Sequence, residues 1–307
     1  MRNKILKSKF YYLFIFLAFG FLVWKVKSDW FIVTSFTWKF NLLNLTVAIF
    51  ISFVAYLVNV FSWHLLTRVL CLRISFKNNL KIWSFSNLTR FIPGKIWQYP
   101  SRILLLSEKK VDNFVSGTAT LIEILLNFSS ASIVVCLSFL LWKFPKELTN
   151  NYLLLIILII VPLFIIFLFN KKSLNFFSKL LIRITHKKIT GFEKIKLSYF
   201  KIFPLLIIFS LRFCITSVFL LFLIKSFIPI SFINYIFILG VSTFSWLLGY
   251  LSFFSPAGLG VAEISLATLL SSIIPFSIGS IIAVLYRLIT LITELILVGF
   301  QMVFYRK

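Results

Sequence analysis

The chain has 307 residues, of which 60% are hydrophobic, and its mean hydropathy is +1.02. Soluble domains are nearer 45–50% apolar, so the composition excludes an ordinary water-soluble domain and points to an all-α polytopic membrane protein. Lys and Arg number 32 against 8 Asp and Glu, a net charge of +24; because the basic residues lie in loops between apolar runs, they fit positive-inside loops and anionic headgroups rather than nucleic acid.

Arg2, Lys4, Lys7 and Lys9 precede the apolar run Phe10–Trp24. Trp24-Lys25-Val26-Lys27 follows it instead of a small-residue cleavage site, so an uncleaved first span with a cytoplasmic N-terminus is expected. A second span is expected over Leu42–Leu66. His64 near its end reads as a hydrogen-bonded side chain rather than a metal ligand. The next stretch, residues 82–106, contains Pro93-Gly94 with short apolar flanks. Spanning takes about 20 residues, so this is expected to be an interrupted or re-entrant segment, or else an amphipathic hairpin on the headgroups.

Val111–Trp142 suffices for one tilted span. Within it Ser116, Thr120, Glu123, Asn127 and Ser130 fall on one helical face. Such a stripe must face protein or water, although hydroxyl residues also serve as packing contacts between helices. A fourth span is expected over Tyr152–Phe169. Lys171–Lys201 then carries nine Lys and Arg residues and one acid, Glu193. Leu174, Phe177, Leu181 and Ile184 share a face there, which reads as an interfacial amphipathic helix in a basic cytoplasmic loop.

Phe203–Phe227 is a further span with Arg212 deep inside it, and Ile233–Phe253 follows. Residues 254–275 form a second interrupted segment. Ser255 and Pro256 suit a helix start, Gly258 and Gly260 loosen the backbone, and a short helix over Ile264–Ile274 ends at Pro275. Glu263 sits near the start of that helix, either complementing its dipole or forming part of a site. The last span, Ile278–Phe304, carries Arg287, Thr290, Glu294 and Gln301 on one face. Arg287 and Glu294 are about two turns apart and need partners elsewhere. In all, about 6–8 transmembrane helices and two interrupted segments are expected in a single domain, 1–307.

Three of the eight acids, Glu123, Glu263 and Glu294, lie in apolar runs. A buried acid costs at least about 2.5–3.5 kcal/mol on insertion scales. Arg287 is the expected partner of Glu263, with Arg90 or Arg102 next; structural ion pairing and a polar translocation site both remain open. Cys71, Cys136 and Cys214 stand far apart, as do His64 and His186, so neither a metal nor another cofactor is expected. No Ser-His-Asp set, Walker loop or Rossmann glycine pattern occurs.

Pro93-Gly94-Lys95-Ile96-Trp97-Gln98 followed by Arg102, then Glu123, then Ser255-Pro256-Ala257-Gly258-Leu259-Gly260-Val261-Ala262-Glu263, then Leu285-Tyr286-Arg287-Leu288 form an ordered series over nearly the whole chain. In it the chain resembles a flippase-like membrane family related to the transmembrane region of lysylphosphatidylglycerol synthase. Where that family often has Gly-Glu, Trp97-Gln98 stands. Ile124 and Asn127 follow Glu123 in place of an arginine and an acid, and Ala262 precedes Glu263 in place of an arginine. The resemblance implies a flippase-like fold of the cell inner membrane that translocates an anionic or polyprenyl-linked lipid. Arg90, Pro93, Gly94, Lys95, Arg102, Glu123, Asn127, Arg212, Pro256, Gly258, Gly260, Glu263, Arg287 and Glu294 are the expected binding or translocation residues. The alternatives are a non-catalytic membrane partner of a cell-envelope glycan or lipid enzyme, and an intramembrane lipid or glycosyl transferase.

Overall fold

The computed structural model describes residues 19–92, 97–142, 199–252 and 255–304. The expectations for Phe10–Ala18, for Pro93, Gly94 and Lys95, for Tyr152–Phe169 and for all but the end of the basic loop 171–201 lie outside these residues. The end of that loop, Tyr199–Lys201, belongs to the helix that follows.

The helices that frame the site are α1 (Trp30–Ser35), α2 (Leu42–Val69), α3 (Phe76–Leu88), α4 (Gln98–Ser107), α5 (Asn113–Leu141), α6 (Tyr199–Lys225), α7 (Tyr235–Leu251), α8 (Val261–Leu270) and α9 (Phe276–Phe304). Among the described residues, five helices (α2, α5, α6, α7 with its leading turn, and α9) are long and apolar enough to cross a membrane. Their starts are set locally. The Asn41 side chain accepts from the Asn44 amide at 3.0 Å, and Asp112 accepts from the amides of Phe114 at 2.8 Å and Val115 at 3.3 Å. Each satisfies an amide that the first turn would otherwise leave unpaired.

The short helices cannot span. At 1.5 Å per residue, α3 is about 20 Å long and α4 and α8 about 15 Å, against a hydrocarbon core of about 30 Å. Helices α3 and α4 pack on each other across the 3₁₀ turn Thr89–Phe91, giving the interrupted segment expected over 82–106, though its first helix begins at Phe76. The second interrupted segment departs from expectation at both ends. Its α-helix runs Val261–Leu270 instead of Ile264–Ile274, with Gly260 at the N-cap; Ser255 and Pro256 do start a helix as expected, but only the 3₁₀ turn Pro256–Gly258. Three left-handed positions, Ala257 (φ 51°), Gly258 (φ 72°) and, beyond Leu259, Gly260 (φ 85°), end that turn before an α-helix can propagate. The Ser255 hydroxyl instead donates to the Leu259 carbonyl at 2.5 Å.

Helix α6 occupies the middle, packed on α2, α5 and α7, while α8 wedges between α7 and α9. Polarity runs opposite to that of a water-soluble protein. On α9 Leu288, Ile292, Leu295 and Phe300 are exposed, whereas Ser280, Thr293, Glu294 and Gln301 are buried. Hydrocarbon gains nothing by excluding leucine, so the outer surface is apolar and the polar groups turn inward to pair. Ser52 and Thr293 join α2 to α9 at 2.7 Å, Ser217 and Ser242 join α6 to α7 at 2.7 Å, and Gln301 donates to Ser84 of α3 at 3.1 Å. The stripe expected on α5 is buried throughout, from Ser116 to Ser130.

Candidate functional site

Each buried acid finds an arginine from a different segment. Arg102 of α4 pairs with Glu123 of α5, and both are almost wholly buried. The pair is supported on every side. Trp83 Nε1 donates to Glu123 at 3.2 Å, Arg102 Nε donates to Ser86 at 2.9 Å, and the guanidinium lies 4.8 Å from the Trp63 ring. Trp63 is itself held by Asn79, which accepts its indole N–H at 3.1 Å and donates to His64 Nδ1 at 2.8 Å and Thr67 at 2.9 Å. His64 is thus the hydrogen-bonded side chain expected, and it serves to fix α3 against α2.

Arg90, in the 3₁₀ turn after α3, reaches Glu294 of α9 at 2.6 Å. Asn87, one turn earlier, donates to the other Glu294 oxygen at 2.7 Å and accepts from Arg90 at 3.2 Å. Glu294 therefore has both oxygens occupied in a three-residue clasp. The third pair is the one expected between Glu263 and Arg287, at 3.4 Å. Glu263 also accepts the Gly260 amide at 2.6 Å, closing the first turn of α8, and Arg287 Nη2 donates to the Ala257 carbonyl at 2.9 Å. The dipole role and the ion-pair role of Glu263 coexist: one oxygen caps the helix and the other faces the arginine.

Arg212 of α6 differs from these. Its Nη1 donates to Asn59 of α2 at 2.8 Å, and its planar face lies 4.2 Å from the Phe213 ring centre and 5.0 Å from that of Trp246. Among the described residues no carboxylate comes within ion-pair distance of it. The acid it feels most strongly is Glu123, which is already committed to Arg102.

All of these charged groups but Glu263 line a half-open cavity of about 240 Å³ between α2, α3, α4, α5, α6, α7, α8 and α9. Of the residues expected to form a site, Arg90, Arg102, Glu123, Asn127, Arg212, Arg287 and Glu294 line it. Glu263 lies behind Arg287, and Pro256, Gly258 and Gly260 shape the loop that carries Ala257 to the wall. Pro93, Gly94 and Lys95 are outside the described residues. Sequence reasoning missed Asn59, Asn87 and Trp246 as partners of the arginines. Asn87 stands one turn before Arg90, a spacing that could have flagged it; an isolated Asn59 in an apolar run gives no such signal. Among the described residues no three of His, Cys, Asp and Glu come together as a metal-binding group.

The family described as the lysylphosphatidylglycerol synthase TM region matches residues 11–297. The chain belongs to that family. No curated protein matches it. Membership in the lysylphosphatidylglycerol synthase TM-region family makes this an integral membrane protein with a lipid-related role.

Proposed function

We propose that this chain is a flippase of the cytoplasmic (inner) membrane, carrying the headgroup of an anionic or polyprenyl-linked lipid through the charged cavity while the acyl or prenyl tails stay in hydrocarbon. In this reading it is a transporter, not an enzyme. The observation that supports it most is the cavity itself: four arginines, three of them paired with acids, gathered between membrane-spanning helices at a site walled by two interrupted segments. Ionisable groups at membrane depth mark substrate pathways, and broken helices build transporter binding sites because their free ends can rearrange around a ligand. The paired carboxylates keep the arginines from holding an anion irreversibly. The N-terminus and residues 171–201 face the cytoplasm in this arrangement because basic residues cluster there; a periplasmic signal from a reporter fused after Lys201 would reverse that orientation.

The test is headgroup accessibility in proteoliposomes made with anionic, aminoacylated and polyprenyl-linked lipids in turn. The parent should move at least one class, while Glu263→Gln and Arg287→Ala should insert with normal folded yield and move none. A parent that moves none of the three, or variants that move lipid as the parent does, would replace this reading with that of a membrane partner for a cell-envelope enzyme.

A further inference from the structure

The cavity holds four guanidinium groups, and three of them have carboxylates: Arg90 with Glu294, Arg102 with Glu123, and Arg287 with Glu263. Arg212 is left over. It is only 9% exposed, its Asn59 partner is neutral, and its Nη2 is buried without a hydrogen-bond partner. Five other buried polar atoms of the cavity lining also lack a hydrogen-bond partner: Tyr56 Oη, Arg90 Nε, Asn127 Oδ1, Thr243 Oγ1 and Arg287 Nε. Arg90 and Arg287 have carboxylates even so, and Arg212 has none among the described residues; a buried charge with no counter-charge is costly, and unpartnered polar atoms around one cavity mark the place where a ligand's atoms belong. Arg212 offers a free N–H and Thr243 a hydroxyl, and both suit an oxyanion; Asn127 Oδ1 is an acceptor and suits a hydroxyl of the headgroup instead. The Phe213 and Trp246 rings hold the guanidinium plane, so its fork is presented in a fixed direction, the geometry in which arginine grips phosphate.

We infer that Arg212 is the headgroup cation of this cavity, and that the cavity selects a lipid headgroup of net charge minus one, a phosphodiester with no ammonium group of its own. This rests on the reading that the cavity carries a lipid headgroup, and it fixes the charge of that headgroup. The other three arginines are neutralised by their own acids, so one negative charge completes the balance. A zwitterionic headgroup brings its own cation into a cavity that has no free acid among the described residues to receive it. A net-cationic headgroup adds a like charge beside Arg212. With about 240 Å³ available, against the ~15 Å³ that one water needs, the space accepts a headgroup rather than a bare ion.

The test uses the full chain in a neutral detergent free of anionic lipid and measures binding by calorimetry. The probes are dihexanoyl phosphatidylglycerol, dihexanoyl phosphatidylcholine and glycerophosphoglycerol, the deacylated form of the first. The parent should bind the anionic lipid at least about tenfold more tightly than the zwitterionic one, the scale of one charge-assisted hydrogen bond. Arg212→Gln should remove that preference. Asn127→Asp should remove it by a different route, by supplying the missing counter-charge from within, and it leaves every native ion pair in place. Equal affinity of the parent for the two lipids overturns the inference, as does a preference that survives intact in either folded variant. The deacylated probe should bind more weakly than the lipid; equal affinity assigns the site to a free phosphodiester and overturns the lipid assignment. Transport is scored separately in proteoliposomes. Charge-selective binding without transport removes only the flippase reading, and transport with charge-blind binding removes only this inference.

Discussion

The two interrupted segments bring opposite charges to one cavity, the first at its lining and the second from behind Arg287. Phe76–Ser107 contributes two arginines, Arg90 and Arg102, whose acids stand on the spanning helices α9 and α5. The segment from Ser255 to Leu270 contributes a carboxylate, Glu263, whose arginine stands on α9. They are also held in place differently. The first is clamped by side chains: Arg102 is enclosed by Glu123, Ser86, Trp63 and Trp83. The second is set by backbone shape, with left-handed residues at 257, 258 and 260 and Gly258 pressed on the backbone of Gly249 in α7. A side-chain clamp can be released by exchanging a partner, whereas a backbone fit of this kind keeps its shape or is lost as a whole. The contrast makes the first segment the adjustable wall of the cavity and the second the fixed one.

The largest effect expected from testing this contrast is at the clamp. Arg102→Ala strands a buried carboxylate and should cost about 3–5 kcal/mol of stability. The double change Arg102→Met with Glu123→Met removes both charges and should recover most of it. Thermal unfolding in detergent measures both, and a double variant no better than the single one would show that the ion pair is not what holds α4 to α5. Next comes the backbone fit. A methyl group at Gly258 would meet Gly249 O at 2.7 Å and its Cα at 2.9 Å, at a φ of +72°. Left-handed strain and overpacking together put Gly258→Ala at about 2–4 kcal/mol. Unlike the clamp, no compensating side chain exists to remove, so a parent-like melting temperature would contradict the close approach of α7. The smallest effect lies where the first wall meets α7, the helix on which the second wall packs: the hydroxyls of Tyr99 on α4 and Tyr250 on α7 are 2.7 Å apart. Tyr99→Phe should cost about 1 kcal/mol, one net hydrogen bond, and should speed hydrogen exchange in α4 more than in α8. Equal protection in the two helices would mean that the first segment is no more adjustable than the second.

Much of this was legible in the sequence because it is local. Apolar length places the spans, the 3.6-residue period puts Ser116, Thr120, Glu123, Asn127 and Ser130 on one buried face, and the cost of a buried charge says that Glu123, Glu263 and Glu294 must have partners. Ser255-Pro256 was a sound local start signal, but it opens only the 3₁₀ turn Pro256–Gly258. The left-handed backbone that ends that turn lies close against Gly249 of α7, an approach that local propensity does not show.

The sequence by itself determined that the chain is a helical membrane protein with charges buried in its spans, and it named nearly all of those charges. It also paired Glu263 with Arg287. Only the tertiary structure decided the partners of Glu123 and Glu294, since Arg90 and Glu294 lie 204 residues apart and meet only when α9 packs beside α3. It likewise decided that Arg212 is the one left without an acid among the described residues. A charge balance is a property of a cavity, and a cavity exists only after the helices around it have packed.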